Sequence, residues 1–134
     1  MGHTCSAALV KCMDFRLTND VHEWMQKKNL VNDCDIISVA GAAKDIVENP
    51  QGYVASLVKL SVQLHQTKKI ILMHHLDCGA YGGSSAFRSQ AEEIDKHRSE
   101  MQKAHNIIAE QCPGIQIEMY LGAPVGERWE IETI

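Results

Sequence analysis

The chain has 134 residues, with 13 Lys and Arg against 17 Asp and Glu for a formal charge of −4, and is 45% hydrophobic but only 5% aromatic. A chain of this length buries roughly two thirds of its unfolded surface and needs no disulfide or metal staple to hold a core, so a metal site in it reads as functional. The mild acidity, with a pI near 5.9 and no block of basic residues, argues against nucleic acid as a partner, and no apolar run approaches the ~20 residues that cross a bilayer. Five cysteines (Cys5, Cys12, Cys34, Cys78, Cys112) are an odd number spread along the chain. They read as reduced thiols of a cytoplasmic protein, which makes thiolate or metal chemistry the question to ask.

In chain order, Ser6–Cys12 is an apolar run without helical period and reads as a buried strand ending in the polar loop Met13-Asp14-Phe15-Arg16. Thr18 or Asn19 caps a predicted helix to about Asn29, with Val21, Trp24, Met25 and Lys28 near one face. Asp35–Ala40 is β-branched and apolar, a second strand, from which Gly41-Ala42-Ala43 leads out. Asn49-Pro50 marks a helix start, and Tyr53, Leu57, Leu60 and Leu64, with Val54, Val58 and Ser61 beside them, follow the period of one buried face. Lys69–Met73 is a third strand running into His74-His75-Leu76-Asp77-Cys78-Gly79. A long, largely charged helix is predicted from about Ala86 to Gln111, ended by Pro113-Gly114, and Ile115–Leu121 alternates as a fourth strand. Strands alternating with helices predict one α/β domain over residues 1–134, with a central four-stranded, mainly parallel sheet flanked by helices.

In such sheets, sites gather beyond the carboxyl ends of the strands. Cys12 closes the first strand, while His75 and Cys78 follow the third, so a parallel sheet brings three soft or borderline ligands together. Zinc takes Cys sulfur and His nitrogen tetrahedrally, and a catalytic site keeps three protein ligands with one position open. His-x-x-Cys alone is common by chance, and its pairing with a strand-terminal Cys is what gives it weight. Cys5, Cys34 and Cys112 are assigned to packing. Strand alternation turns His74 away from His75, and His3, His22, His65, His97 and His105 read as solvated or capping groups. Asp14 and Arg16 would normally be a weak surface ion pair. Beside a metal, the carboxylate can take the fourth position or accept a hydrogen bond there, and the guanidinium orients it. The Gly-rich stretch Gly79–Ser85 lacks the lysine of a P-loop and the G-x-G-x-x-G spacing of a dinucleotide site. It reads as a close turn around the metal, with free N–H groups for a small anion.

Cys12-x-Asp14-x-Arg16 followed by His75-x-x-Cys78-Gly79, with Val39-Ala40-Gly41-Ala42 between them, resembles the β-class carbonic anhydrases. The resemblance runs in order along nearly the whole chain, through the Ser56-Leu57 helix to Leu121-Gly122-Ala123. It implies Zn2+ held by Cys12, His75 and Cys78, with Asp14 and Arg16 as a catalytic dyad over the fourth position. It implies Gly41 and Gly79 on the substrate side, CO2 and bicarbonate as substrates, and a homodimer or dimer of dimers. In its terms Asp14 ligates zinc in a closed, low-pH form and swings to Arg16 when active, and two thiolates on the metal predict activity rising with pH above about 7–8. The sequence departs from the family where Phe15 replaces a usual serine, where Ser38-Val39 replaces a common Arg-Asn pair, and where only a short segment precedes Cys12. Phe15 motivates an alternative, hydrolysis of COS or CS2 on the same scaffold. A further alternative is a non-catalytic zinc protein in which Asp14 closes the metal site.

Overall fold

The structure, a computed structural model, describes residues 2–134. Strands β1 (Ala7–Lys11), β2 (Cys34–Ser38), β3 (Lys69–His75), β4 (Gln116–Val125) and β5 (Arg128–Thr133) form one sheet in the order β2-β1-β3-β4-β5. The first four pair in parallel, and β5 lies antiparallel on β4. The helices are α1 (Thr18–Lys27), α2 (Lys44–Glu48), α3 (Tyr53–His65) and α4 (Gln90–Gln111). The α/β class and mainly parallel sheet are as the alternation of elements predicts.

The sheet has five strands, not four. Val125 pairs with Arg128 across the two-residue turn Gly126-Glu127, and Gly126 has φ +63 while Glu127 does not turn positive, the pattern that suits a tight hairpin. The five-residue α2 was also unforeseen. The helix expected to start at Asn49-Pro50 begins at Tyr53, because the Gly52 N–H bonds the Asn49 carbonyl and closes a turn there. The last helix starts at Gln90 rather than Ala86, where the Ser89 side chain accepts from the Glu92 N–H as its cap.

Two apolar cores sandwich the sheet. On one face Ala7, Leu9, Ile71, Met73 and Tyr120 pack against Leu17 and against Val21, Trp24 and Met25 of α1. On the other, Ala8, Val10, Ile70 and Leu72 pack against α2, Val54 and Val58 of α3, and Met101, Ala104 and Ile108 of α4. The strict alternation of β3 then sends His74 toward α4 and His75 to the α1 side.

Helix α3 corrects a face assignment. Its buried stripe is Val54, Ala55, Val58 and Ser61, whereas Tyr53, Leu60 and Leu64 are 76%, 43% and 60% exposed. The helix carries two apolar stripes side by side, and both satisfy the 3.6-residue period. The stripe with the small residues Ala55 and Ser61 meets the sheet, where Ser61 Oγ donates to Asp35 (2.6 Å).

Candidate metal centre

The carboxyl ends of β1 and β3 bring Cys12, His75 and Cys78 together, with one ligand atom of each within 4.8 Å of the others. The two sulfurs are 3.9 Å apart. Two sulfurs each bound 2.3 Å from one tetrahedral ion stand ~3.8 Å apart, so the pair is spaced for zinc. His75 Nδ1 donates to the Leu76 carbonyl (2.7 Å), which leaves the lone pair on Nε2. That atom is buried and has no hydrogen-bond partner among the described residues. A buried, unpartnered imidazole nitrogen beside two spaced thiols is a donor set prepared for a cation.

The sulfurs are also prepared electrically. Cys12 is held well below the usual thiol range, chiefly by hydrogen bonding with Cys78 and further by the backbone of Gly41 and Asp14, against the cost of burial. Cys78 is pushed up, first by sharing its proton with Cys12 and then by burial. The pair thus readily gives up one proton and retains the second until a cation arrives to replace it.

Beside this set, Arg16 grips Asp14. Its Nε lies 3.1 Å from both carboxylate oxygens, its Nη2 2.7 Å from Oδ2, and its own backbone N–H donates to Oδ1 at 2.9 Å. The Arg16 contacts, chiefly the side-chain hydrogen bonds, bring the Asp14 pKa down to about 2. Asp14 Oδ2 remains 3.7 Å from His75 Nε2. The carboxylate is therefore turned toward the guanidinium. Phe15, between the two, is 84% exposed. Its side chain points to solvent.

Gly41 and Gly79 differ in what they do. Gly41 is buried with φ +77, and a Cβ there would meet the Ala80 Cβ at 2.9 Å, so a glycine is needed for the two loops to touch. Gly79 is exposed and has open space where a Cβ would sit.

Several residues at the site were not foreseen. Asp77 takes Arg16 Nη1 on Oδ2 (3.1 Å), and its carbonyl accepts Nη2 (2.9 Å). Glu93, 2% exposed in the first turn of α4, accepts from the Asp77 N–H (2.7 Å) and the Ser84 hydroxyl (2.9 Å). Charge-assisted bonds of this kind contribute about 1.5–3 kcal/mol each, so Glu93 ties the Cys78 loop to the helix. Trp129 of β5 stands edge-on to His75, ring centroids 5.5 Å apart, and the Arg16 guanidinium lies 5.4 Å over it. Glu93 lies on the long helix read only as largely charged, and Trp129 on the unpredicted strand. His74 accepts the Ala43 N–H on Nε2 (3.1 Å) and meets His97 Nδ1 at 2.9 Å through Nδ1. His97 is fully buried, not the solvated or capping group expected.

Fold and donor set together define an α/β protein with a thiolate and imidazole cluster at the ends of its parallel strands. Residues 2–134 match the model of the protein family described as "Putative carbonic anhydrase", and the chain belongs to that family. It is 27% identical over 123 residues to an uncharacterized protein of Rickettsia conorii, covering 87% of this chain and 66% of that one. An uncharacterized protein of Rickettsia bellii is 28% identical over 123 residues, 87% of this chain and 75% of its own length. This chain thus spans just under two thirds of the first relative. Among solved structures it is similar to the β-carbonic anhydrase CafA of Aspergillus fumigatus, at 12% identity and a TM-score of 0.49 over 98% of this chain and 76% of that one.

Proposed function

We propose that the chain is a zinc-dependent carbonic anhydrase that interconverts CO2 and bicarbonate, with Cys12, His75 and Cys78 as metal ligands and Asp14 and Arg16 as the working pair. The observation that carries this reading is the buried, unpartnered His75 Nε2 facing two sulfurs 3.9 Å apart. Zinc held there would act as a Lewis acid that brings the pKa of a water toward neutrality. The chain's own groups do the rest. Asp14 Oδ2 is the acceptor that orients the attacking water, and with its pKa near 2 it stays ionised at neutral pH and acts as an orienter, not a base. Arg16 positions Asp14 through four hydrogen bonds and is itself braced by Asp77. The N–H groups of Gly41 and Asp14 sustain the Cys12 thiolate. Ligation needs both thiols reduced, and all five cysteines are free, so the proposed setting is the cytoplasm. No helix is long and apolar enough to cross a membrane among the described residues.

Stopped-flow CO2 hydration at about pH 8.5 on zinc-loaded protein tests this, with Asp14→Ala as the paired control. Loss of the orienting acceptor is expected to lower kcat by about 10²–10⁴ with zinc content unchanged, the range general acid–base and positioning groups supply. A fully zinc-loaded wild type without turnover would reject the activity.

The same reading takes a second copy of the chain as partner. Strand β2 is a sheet edge, and Ile36 on it (51% exposed) adjoins the exposed Leu60 and Leu64 of α3, with which it lines one shallow cleft. An open parallel edge flanked by apolar side chains is a liability in a monomer. Sedimentation equilibrium is expected to give a dimer or dimer of dimers, and Leu60→Glu with Leu64→Glu to shift it toward monomer.

A further inference from the structure

A second group of metal-ligand side chains lies at the opposite edge of the sheet. Cys5 precedes β1, Asp35 is the second residue of β2, and His65 is the last of α3, so all three stand where the parallel strands begin rather than end. One ligand atom from each lies within 4.8 Å of the others. Among the described residues this and the Cys12 group are the two such clusters. We propose that Cys5, Asp35 and His65 form a second site for a divalent transition metal, zinc by preference, separate from the catalytic one.

Three segments remote in sequence supply the donors, one sulfur, one carboxylate and one imidazole. This mixed set suits zinc or a similar borderline metal and not calcium or magnesium, which take oxygen alone. A ring of hydroxyls holds the donors in place. Ser61 Oγ donates to Asp35 Oδ2 (2.6 Å) and lies 2.7 Å from Thr67 Oγ1, which in turn sits 3.3 Å from Cys5 Sγ. His65 Nδ1 lies 2.7 Å from Asp35 Oδ2. Burial pushes the Asp35 carboxyl up, but the Ser61 and His65 bonds outweigh it and hold it below its usual value. The donors are partly exposed, and a cleft of about 260 Å³ opens over them with His3 and Asn32 on its wall. A metal can therefore enter, and His3 stands as a candidate fourth ligand. Cys34 lines the same cleft, but its thiol donates to the Asp35 carbonyl (3.3 Å) and lies outside the clustered donors.

Bound there, a metal would pin the segment before β1 to the end of α3 and the start of β2, remote from the catalytic ligands. Zinc counted per chain after equilibration with Zn2+ and desalting tests this. The wild type is expected to retain about two ions, and Cys5→Ser and Cys12→Ser about one each, since losing a ligand releases a structural metal. His65→Gln, at a half-exposed helix end where folding is safe, is expected to match Cys5→Ser. In both variants CO2 hydration is expected to persist. One zinc per wild-type chain, unaffected by Cys5→Ser and His65→Gln but lost in Cys12→Ser, would overturn the proposal and leave the catalytic reading intact. One zinc lost in Cys5→Ser and kept in Cys12→Ser would support it and reject the catalytic centre instead. On a background with Cys12 and Cys78 both changed to Ser, Co2+ is expected to give a thiolate charge-transfer band that disappears when Cys5 is also changed.

Discussion

Cys12→Ser is expected to abolish CO2 hydration and to release zinc from the centre at the β1 and β3 ends, with the far-ultraviolet circular dichroism of the chain preserved. Removal of a partner that merely supports a zinc ligand costs about 10–100-fold in affinity or activity, and a direct ligand is worth more than that. Cys12 is the sulfur held low, chiefly by its hydrogen bond with Cys78, so it is the first of the pair to carry charge. A serine hydroxyl there neither ionises near neutral pH nor provides a soft donor. The fold should survive, because the two cores consist of aliphatic and aromatic side chains packed on both faces of the sheet and do not depend on the metal. Arg16→Ala is the comparison. It leaves the three donors in place while freeing Asp14, so zinc should stay and turnover should fall. If Cys12→Ser keeps both its zinc and its activity, the ligand set is wrong.

What could be read in the sequence was whatever depended on local pattern and strand parity. The convergence of Cys12, His75 and Cys78 could be read because each ends or follows an apolar run, and parallel pairing of those runs brings their ends together. His74 was correctly turned away from His75 by alternation alone. The rest depended on tertiary choices that periodicity does not encode. Helix α3 has two apolar stripes, and only the sheet selects Val54, Ala55 and Val58 over Leu60 and Leu64. Glu93 and His97 sit on a helix whose other residues are mostly polar or charged, so their burial gave no apolar signal. The hairpin to β5 did carry one, a Gly126-Glu127 turn followed by alternating Trp129 and Ile131, and with it came Trp129 against His75. Cys5 read as packing and His65 as a solvated or capping group, and only the tertiary fold sets both beside Asp35.

Acid is expected to destabilise the protein through His97. This ring is fully buried between β3 and α4, facing His74, Tyr81 at a centroid distance of 4.9 Å, and the acids Glu93 and Glu100 of its own helix. The Ala43 N–H occupies His74 Nε2, so His74 carries its proton on Nδ1 and donates it to His97 Nδ1. The His97 proton is then on Nε2, which has no partner among the described residues. A second proton on His97 would have to displace that shared bond inside the core. Burial accordingly lowers its pKa from 6.5 to about 4, against the upward pull of Glu93. Between those values the unfolded chain binds a proton that the folded chain refuses, so stability is complete above about pH 6.5 and falls as pH drops toward 4. The loss over that window is on the order of 3 kcal/mol. Denaturant unfolding across pH 4–8 measures it, on zinc-loaded and chelator-stripped protein alike, so that acid release of metal is separated from the histidine. His97→Gln keeps an acceptor for His74 Nδ1 and cannot titrate. Its stability should change less steeply with pH by about one proton in the window, and equal slopes for the two proteins would show that His97 is not the group that acid attacks.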